Sequence, residues 1–531
     1  MAHRVLISDS LSKEAVDILE KEKGLKVDVN TKLTPNELKK IIKEYDALIV
    51  RSSTKVTKEV IDAGIKLKII GRAGVGLDNV DVWAASKKGI IVVNTPGGNT
   101  ISTAEHTFSL MLSLSRNIPQ ADLSVKRGEW ERKKFMGVEL YRKTLGIAGL
   151  GRIGTEVAKR ALSFEMRVIA FDPYLSVEKA KQLGIESVGL DTLLKESDYI
   201  TVHTPLTDDT KHLISDREFG MMKKGVRILN CARGGIIDEA ALAKAIESGK
   251  VAGAALDVYE NEPPPKDFKL LKMDKVVLTP HLGASTEEAQ VNVAMDIANT
   301  VIDVLLNRCI RNAVNVPCVD PEILKIIAPY LKLSESIGAI HAQLAEGHIK
   351  RVKIRYVGDL LRYDLSPLTL SLIKGMLTPI LQETVNFVNA LVIAKERGIN
   401  IMETKTAEVQ DFASLISVEV ETDKTKNCID GTLFTKVDPR IVKINEFYVD
   451  SVPEGNLLII FNKDLPGIIG QIGTLLGKNK INIAGMSFGR EKKGGRAITV
   501  LNVDNDVSKK VLDEIRQADN VQEAKLVKLP K

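Results

Sequence analysis

The chain has 531 residues, more than one hydrophobic core serves, so three or four domains are expected. With 44% hydrophobic and 27% charged residues it has the make-up of an ordinary globular protein. Its 75 basic residues barely exceed 69 acidic ones; the resulting +6 suits an anionic small substrate, and no basic block interleaved with aromatics calls for nucleic acid. Cys231, Cys309, Cys318 and Cys428 are scattered, with no CxxC pair or Cys/His cluster, so neither a metal site nor a disulfide framework is expected. MAHRVLISDS runs straight into a strand without a targeting leader, and no apolar run approaches the roughly 20 residues of a membrane helix. The expectation is a soluble cytoplasmic protein.

The first 95 residues alternate short apolar runs with amphipathic stretches: RVLIS, a helix near 13–21, KVDVN, a helix near 35–44, ALIV. That pattern predicts βα units around a mostly parallel sheet. TPGGNTIST at 95–103 is a break, and 102–115 reads as a long buried helix. From 144 to 281 the βα alternation is strict, and PCVDPE at 317–322 is a second break. Residues 323–450 are less legible: strand-like IKRVKIRYV, apolar helices across 367–395, SLISVEVE, then two turn-rich charged stretches. The tail from 454 reads strand, helix, strand, strand, helix, strand, a ferredoxin-like order. The fold class is α/β: two Rossmann-like βα domains flanking a cleft, an α+β intervening domain, and a ferredoxin-like C-terminal domain.

TLGIAGLGRIGTEVAKRAL carries Gly149, Gly151 and Gly154 in G-x-G-x-x-G spacing between a strand and a helix. These glycines allow the tight turn, backbone approach to a pyrophosphate, and close helix packing. A second strand ends at Asp172, near the spacing of a carboxylate that binds ribose hydroxyls and repels a 2′-phosphate, which selects NAD. GRAGVG at 71–76 has different spacing and reads as a glycine-rich turn able to offer N–H donors to a substrate anion. Because the dinucleotide motif starts near 145, the first 95 residues form a lobe of their own.

Ligands of such sheets bind at the carboxyl ends of strands. Those ends carry His203-Thr204, Cys231-Ala232-Arg233, Asp257 with Glu262 following, and His281. An imidazole, His281, is suited to take a hydroxyl proton; a carboxylate, Glu262, to fix its tautomer; a guanidinium, Arg233, to grip a carboxylate bidentately. Alone, each reads equally well as structural; together they point to oxidation of a 2-hydroxy acid.

GLGRIG, NCARGGIIDE, ALDVYENEP and TPHLGAST together resemble the D-2-hydroxy-acid dehydrogenase family. GRAGVGLDNVD through WERKKFMGVEL is most similar to its phosphoglycerate-oxidising branch. The resemblance implies Arg233, Glu262 and His281 as the catalytic set. It implies NAD contacts at Val75, Gly149, Gly151, Arg152, Ile153, Gly154, Asp172, Thr204, Cys231, Ala232, Arg233, Asp257, His281, Gly283 and Ala284. It places 3-phosphoglycerate at Arg51, Ser52, Arg72 and Gly76, with Arg132 reaching into a partner subunit's site, so that a dimer of catalytic units, and beyond it a tetramer, is expected. Without the resemblance, WERKKF also fits the basic end of a surface helix. The implied domains are 1–97, completed by 283–315, for substrate; 98–282 for NAD; 319–450 intervening; and 454–531 regulatory.

The tail resembles ACT domains, in which Asn462, Asp464 and Asn482 would meet an amino-acid effector, with L-serine expected. The competing readings are a glyoxylate- or lactate-type relative and an NAD-sensing regulatory protein.

Overall fold

The computed structural model describes residues 2–381, 384–408 and 411–530. The first sheet holds β1 (His3–Ile7), β2 (Leu25–Val29), β3 (Ala47–Val50), β4 (Ile69–Arg72) and β5 (Ile91–Val93), all parallel, in the order β2-β1-β3-β4-β5. Parallel strands are covered on both faces, which is why these runs are apolar throughout. The stretch read as one helix over 35–44 is a helix, Pro35–Ile41, tightened into a 3-10 turn, Ile42–Glu44. The strand order reverses between β1 and β3, opening a crevice at their ends where Asp9 and Arg51 lie.

The second sheet holds β6 (Thr144–Ala148), β7 (Arg167–Phe171), β8 (Glu186–Ser187), β9 (Tyr199–Val202), β10 (Val226–Asn230), β11 (Val251–Leu256) and β12 (Val276–Leu278). They are parallel in the order β8-β7-β6-β9-β10-β11-β12, so the doubly wound switch falls between β6 and β9. The Thr100–Arg116 helix packs on this sheet, Phe108 and Met111 meeting the core of Leu145 and Val157. The Glu287–Leu305 helix crosses back instead: Val293, Ile297 and Val301 share a core with Val5, Ile49 and Ile69 of the first sheet. The WERKKF segment is not a helix end, since the Ile118–Lys126 helix has already stopped and residues 129–135 run through coil and turn.

The least legible region begins with the Pro321–Leu344 helix, which the sequence reading passed over. Pro329 and a buried side carrying Ser334, Ser336 and His341 blur its amphipathic signal. Beneath it lies a mixed sheet of β13 (Ile349–Gly358), β14 (Asn400–Thr406), β15 (Ser414–Thr422), β16 (Lys426–Leu433), β17 (Pro439–Ile444) and β18 (Phe447–Ser451). Its order is β14-β13-β15-β16-β17-β18, antiparallel except for β13-β14. The charged stretches expected as turns contain β16 to β18, because β16 buries polar Asp430 and Thr432 where a strand usually shows apolar residues.

The last sheet, β19 (Asn456–Lys463), β20 (Ile483–Arg490), β21 (Arg496–Val503) and β22 (Val521–Lys528), is antiparallel in the order β20-β21-β19-β22. Its helices Ile468–Lys478 and Lys509–Arg516 cover one face through Ile472 and Ile515. The other face, Leu457, Ile459, Ile498 and Val500, is buried against Ile337 and Ile340, so the last two units share one core.

Candidate active site

The dinucleotide crevice is built by the turn after β6. Gly149 adopts φ 93°, a left-handed angle that a side chain disfavours, and its amide donates to the Phe171 carbonyl at 2.8 Å. Gly154 backs directly onto the Gly149 carbonyl, while a Cβ on Gly151 would meet nothing within 4 Å. Gly151 therefore fronts an open cradle at the start of the Arg152–Ser163 helix, whose first N–H groups, near Arg152 and Ile153, lack intrahelical acceptors. Asp172 follows β7; its Oδ2 accepts the Leu150 amide at 2.8 Å and its Oδ1 that of Tyr174 at 2.9 Å, leaving lone pairs for hydroxyl donors. Across the switch point, the Thr204 hydroxyl is buried without a hydrogen-bond partner among the described residues. Beside it burial pulls His203 down to about 4, so that ring stays neutral. An open cradle, an orphaned hydroxyl and the Asp172 carboxylate at the end of β7 fit a dinucleotide. Cys231, just past β10, is a buried thiol, its pKa pushed up to about 12 by desolvation.

Asp257, buried at the end of β11, organises the neighbouring loop. Its Oδ1 accepts from the Thr279 hydroxyl at 2.6 Å, the Leu282 amide at 2.7 Å and His106 Nε2 at 3.1 Å; its Oδ2 accepts the Gly283 amide at 2.8 Å. Burial works to raise this carboxyl, yet the His106 and Thr279 bonds hold it below the ordinary carboxylate range. The Gly283 carbonyl is in turn tied to the hydroxyls of Ser102 and Thr103. Gln290 bonds the Ala284 carbonyl at 2.7 Å. His106 is a site residue that sequence reading missed; the only signal was an imidazole set in the apolar stripe of a buried helix.

This framework presents His281 at φ 57°, its amide donating to the Asp257 carbonyl at 2.9 Å. His281 Nδ1 lies 2.7 Å from Glu262 Oε2, and Glu262 Oε1 accepts the Tyr259 amide at 3.2 Å. The Glu262 bond raises the imidazole above its usual pKa, overcoming partial burial. Burial acts on Glu262 in the opposite sense to His281, whose hydrogen bond leaves the carboxyl below the usual range. Nδ1 is thereby committed to the carboxylate, leaving Nε2 for a substrate proton.

Arg233 projects from the turn after β10, where Asn230 clamps the turn by bonding the Arg233 carbonyl and the Ala232 amide. Its guanidinium leaves no room for a Cβ on Gly76 and lies 3.5 Å from Asp78, a neighbour that the sequence reading did not single out. Arg72 is largely buried, its Nε without a partner among the described residues. Desolvation, then the positive fields of Arg233 and Arg51, lower its pKa to about 10. Arg51 is anchored at the first switch point by its amide to Asp9, at 2.6 Å, and by Nη1 to the Ser10 carbonyl. Asn94 holds the Val75 carbonyl. Arg72 feels the charges of Arg51 and Arg233, Arg233 lies against Gly76, and its field reaches His281, which is paired with Glu262. Ser52 is exposed beside Arg51, whereas Arg132 is exposed on the separate turn after the Ile118–Lys126 helix.

A D-3-phosphoglycerate dehydrogenase of Archaeoglobus fulgidus is 49% identical over 528 residues, covering 99% of this chain and 100% of that one. The chain belongs to the D-3-phosphoglycerate dehydrogenase family. The Bacillus subtilis member is 45% identical over 528 residues, covering 99% of this chain and 100% of its own. Residues 108–283 match the D-isomer specific 2-hydroxyacid dehydrogenase NAD binding domain, so the second sheet is an NAD-binding unit. Residues 326–445 match the D-3-phosphoglycerate dehydrogenase intervening domain, and 456–520 the ACT domain. Among solved structures, a glyoxylate reductase from Paecilomyes thermophila is similar with TM-score 0.55 and 31% identity, over 61% of this chain and 99% of its own. An Aquifex aeolicus D-lactate dehydrogenase complexed with NAD and lactic acid gives TM-score 0.51 and 32% identity, over 57% and 96%.

In the ACT unit of this family member the three effector candidates have separate surroundings. Asn462 is fully buried, its amide bonded to the Lys463 carbonyl and the Thr499 hydroxyl. Asp464 is held by Arg490 and the Gly494 amide, both at 3.1 Å, and Asn482 bonds Asp504 at 2.6 Å. An effector facing Asn462 would have to displace that internal pairing.

Proposed function

We propose that this chain oxidises D-3-phosphoglycerate to 3-phosphohydroxypyruvate with NAD, the first step of serine biosynthesis. The observation that carries this reading is the meeting of the His281–Glu262 pair with Arg233 in a cleft lined by further arginines. When bound in the Gly151 cradle, NAD supplies an acceptor for the hydride that leaves C2 of the substrate. His281 Nε2 takes the hydroxyl proton, and Glu262 stabilises the imidazolium that results. Arg233 grips the carboxylate bidentately and polarises the C2 oxygen beside it. Arg51 and Arg72 supply positive charge for the phosphate, whose charge offsets the repulsion Arg72 feels from Arg233 and Arg51. Asp172 engages the adenosine ribose and disfavours a 2′-phosphate.

The substrate lobe is assigned to 1–97 completed by 283–315, the NAD domain to 98–282, the intervening domain to 319–450 and the ACT domain to 454–531. Ile118, Leu123, Val125, Trp130 and Met136 are exposed around Arg132, which supports a second copy covering this face and receiving Arg132 in its cleft. L-serine is the effector assigned to the ACT domain, and the cytoplasm the compartment; among the described residues no helix is long and apolar enough to cross a membrane. The full-length similarity, intervening and ACT units included, favours phosphoglycerate over the glyoxylate and lactate alternatives.

The test is NADH formation by the full chain from D-3-phosphoglycerate and NAD, with and without L-serine. Turnover in the first case supports the reading; no turnover in either direction overturns it.

A further inference from the structure

Glu239 has no place in the chemistry above, yet it links two of its parts. It opens the Glu239–Glu247 helix, just beyond the Arg233-Gly234-Gly235 turn, and Asp238 caps that helix through the Ala241 amide at 3.0 Å. Glu239 Oε1 accepts the backbone N–H of Glu260 at 2.8 Å. That amide belongs to the 259–262 turn, in which Glu262 receives the Tyr259 N–H and holds His281. The two turns are also in backbone contact, since a Cβ on Gly234 would overlap the Tyr259 carbonyl.

The position is electrostatically unfavourable. Glu239 is half-buried, and desolvation with the negative fields of Glu260, Asp238 and Glu262 raises its carboxyl above the usual range. The His212 ring is paired with Glu260 at 3.2 Å, and no salt bridge to Glu239 is formed among the described residues. A small apolar residue there would avoid that cost, but would leave the Glu260 amide without its acceptor.

We infer that Glu239 is a positioning residue for hydride transfer, fastening the turn that carries Glu262 to the helix that follows the Arg233 turn. The inference rests on the acid–base reading of Glu262 and His281. His281 faces Glu262, Asp257 and Arg233, so a displaced Glu262 changes its proton affinity in a known direction. Weaker contact with Glu262 lowers the imidazole pKa, and the acid limb of the oxidation rate moves to lower pH.

The experiment measures kcat and KM against pH for D-3-phosphoglycerate oxidation by full chains carrying Glu239→Ala, Glu239→Gln or Glu239→Asp, with Glu262→Gln as control. NADH affinity and melting temperature are followed alongside. Glu239→Ala should lower kcat about tenfold and shift the acid limb downward at unchanged NADH affinity. Glu239→Gln keeps an oxygen for the Glu260 amide and should return kcat to within about threefold of the parent. Glu239→Asp, too short to reach that amide, should behave like the alanine variant and decides the matter if the latter does not fold. A parental kcat and limb in Glu239→Ala or Glu239→Asp overturns the inference, as does a loss of melting temperature with an unmoved limb. If Glu262→Gln moves the limb and the Glu239 variants do not, this inference alone fails; if Glu262→Gln leaves it in place, the acid–base reading fails with it.

Discussion

His281, just past β12, is half-exposed and shares a short hydrogen bond with Glu262; the ring of His341, within the Pro321–Leu344 helix, is fully buried and among the described residues bonds only the Val418 carbonyl. One is pushed above its ordinary pKa by a carboxylate, the other down to about 4 by desolvation. The difference reflects how each half of the molecule is built. Parallel strands in the catalytic half end together at one edge, where polar side chains stay half-open and available. In the C-terminal half, two sheets and a long helix close over a shared apolar core, and polar groups inside it pair internally, as Tyr356 does with the Thr369 hydroxyl and His341 with the Val418 carbonyl.

The largest effect that would break this contrast is at His281. Replacing His281 by Ala should lower kcat about a thousandfold in steady-state NADH formation, with NADH binding by fluorescence unchanged; a loss below tenfold would make the residue structural, like His341. The second concerns His341 itself. Its folded pKa is depressed below the unfolded value, so the neutral form stabilises the fold fully above pH 6.5, and that contribution drains away as pH falls toward 4. The loss amounts to about 3 kcal/mol over the whole window. Hydrogen exchange of the β13–β18 amides at pH 7 and pH 5 should show it, and a His341→Gln variant should show a flatter pH response; equal slopes would remove the titration from the account.

A third effect sharpens the cofactor side. Asp172→Ala should raise KM for NAD about thirtyfold and narrow the gap to NADP, the size of lost charged hydrogen bonds; an unaltered NAD/NADP ratio would count against the ribose contact. The smallest concerns the arginines assigned to the phosphate. Arg51→Ala and Arg132→Ala should each raise KM about tenfold for D-3-phosphoglycerate and far less for D-glycerate. Equal increases for both substrates would remove the phosphate assignment.

The contrast also explains what could be read in advance. Gly149, Gly151, Gly154 and Asp172 are legible because a backbone turn and its spacing are local properties of the chain. Arg233, Glu262 and His281 follow from counting strand ends, a rule that needs no contacts. His106 and Asp78 escaped, since a histidine in an apolar helix and an acid in a loop reveal their partners, Asp257 and Arg233, only once distant segments meet. Asn462, expected as a ligand contact from its place in a motif, accepts the Thr499 hydroxyl of β21 at its amide oxygen, a pairing that only the folded sheet reveals. The Pro321–Leu344 helix and β16 to β18 were obscured by buried polar residues that mimic surface pattern.

The sequence by itself determined the βα alternation, the dinucleotide turn, the acid–base and arginine candidates and the ferredoxin-like tail, all encoded in periodicity and short spacing. Only the tertiary structure decided that Asp257 gathers His106, Thr279 and the amides beside His281, and that the last two units share one core. Those outcomes depend on burial, which desolvates one histidine and leaves another open, and burial is a property of neighbours that the chain brings together only when folded.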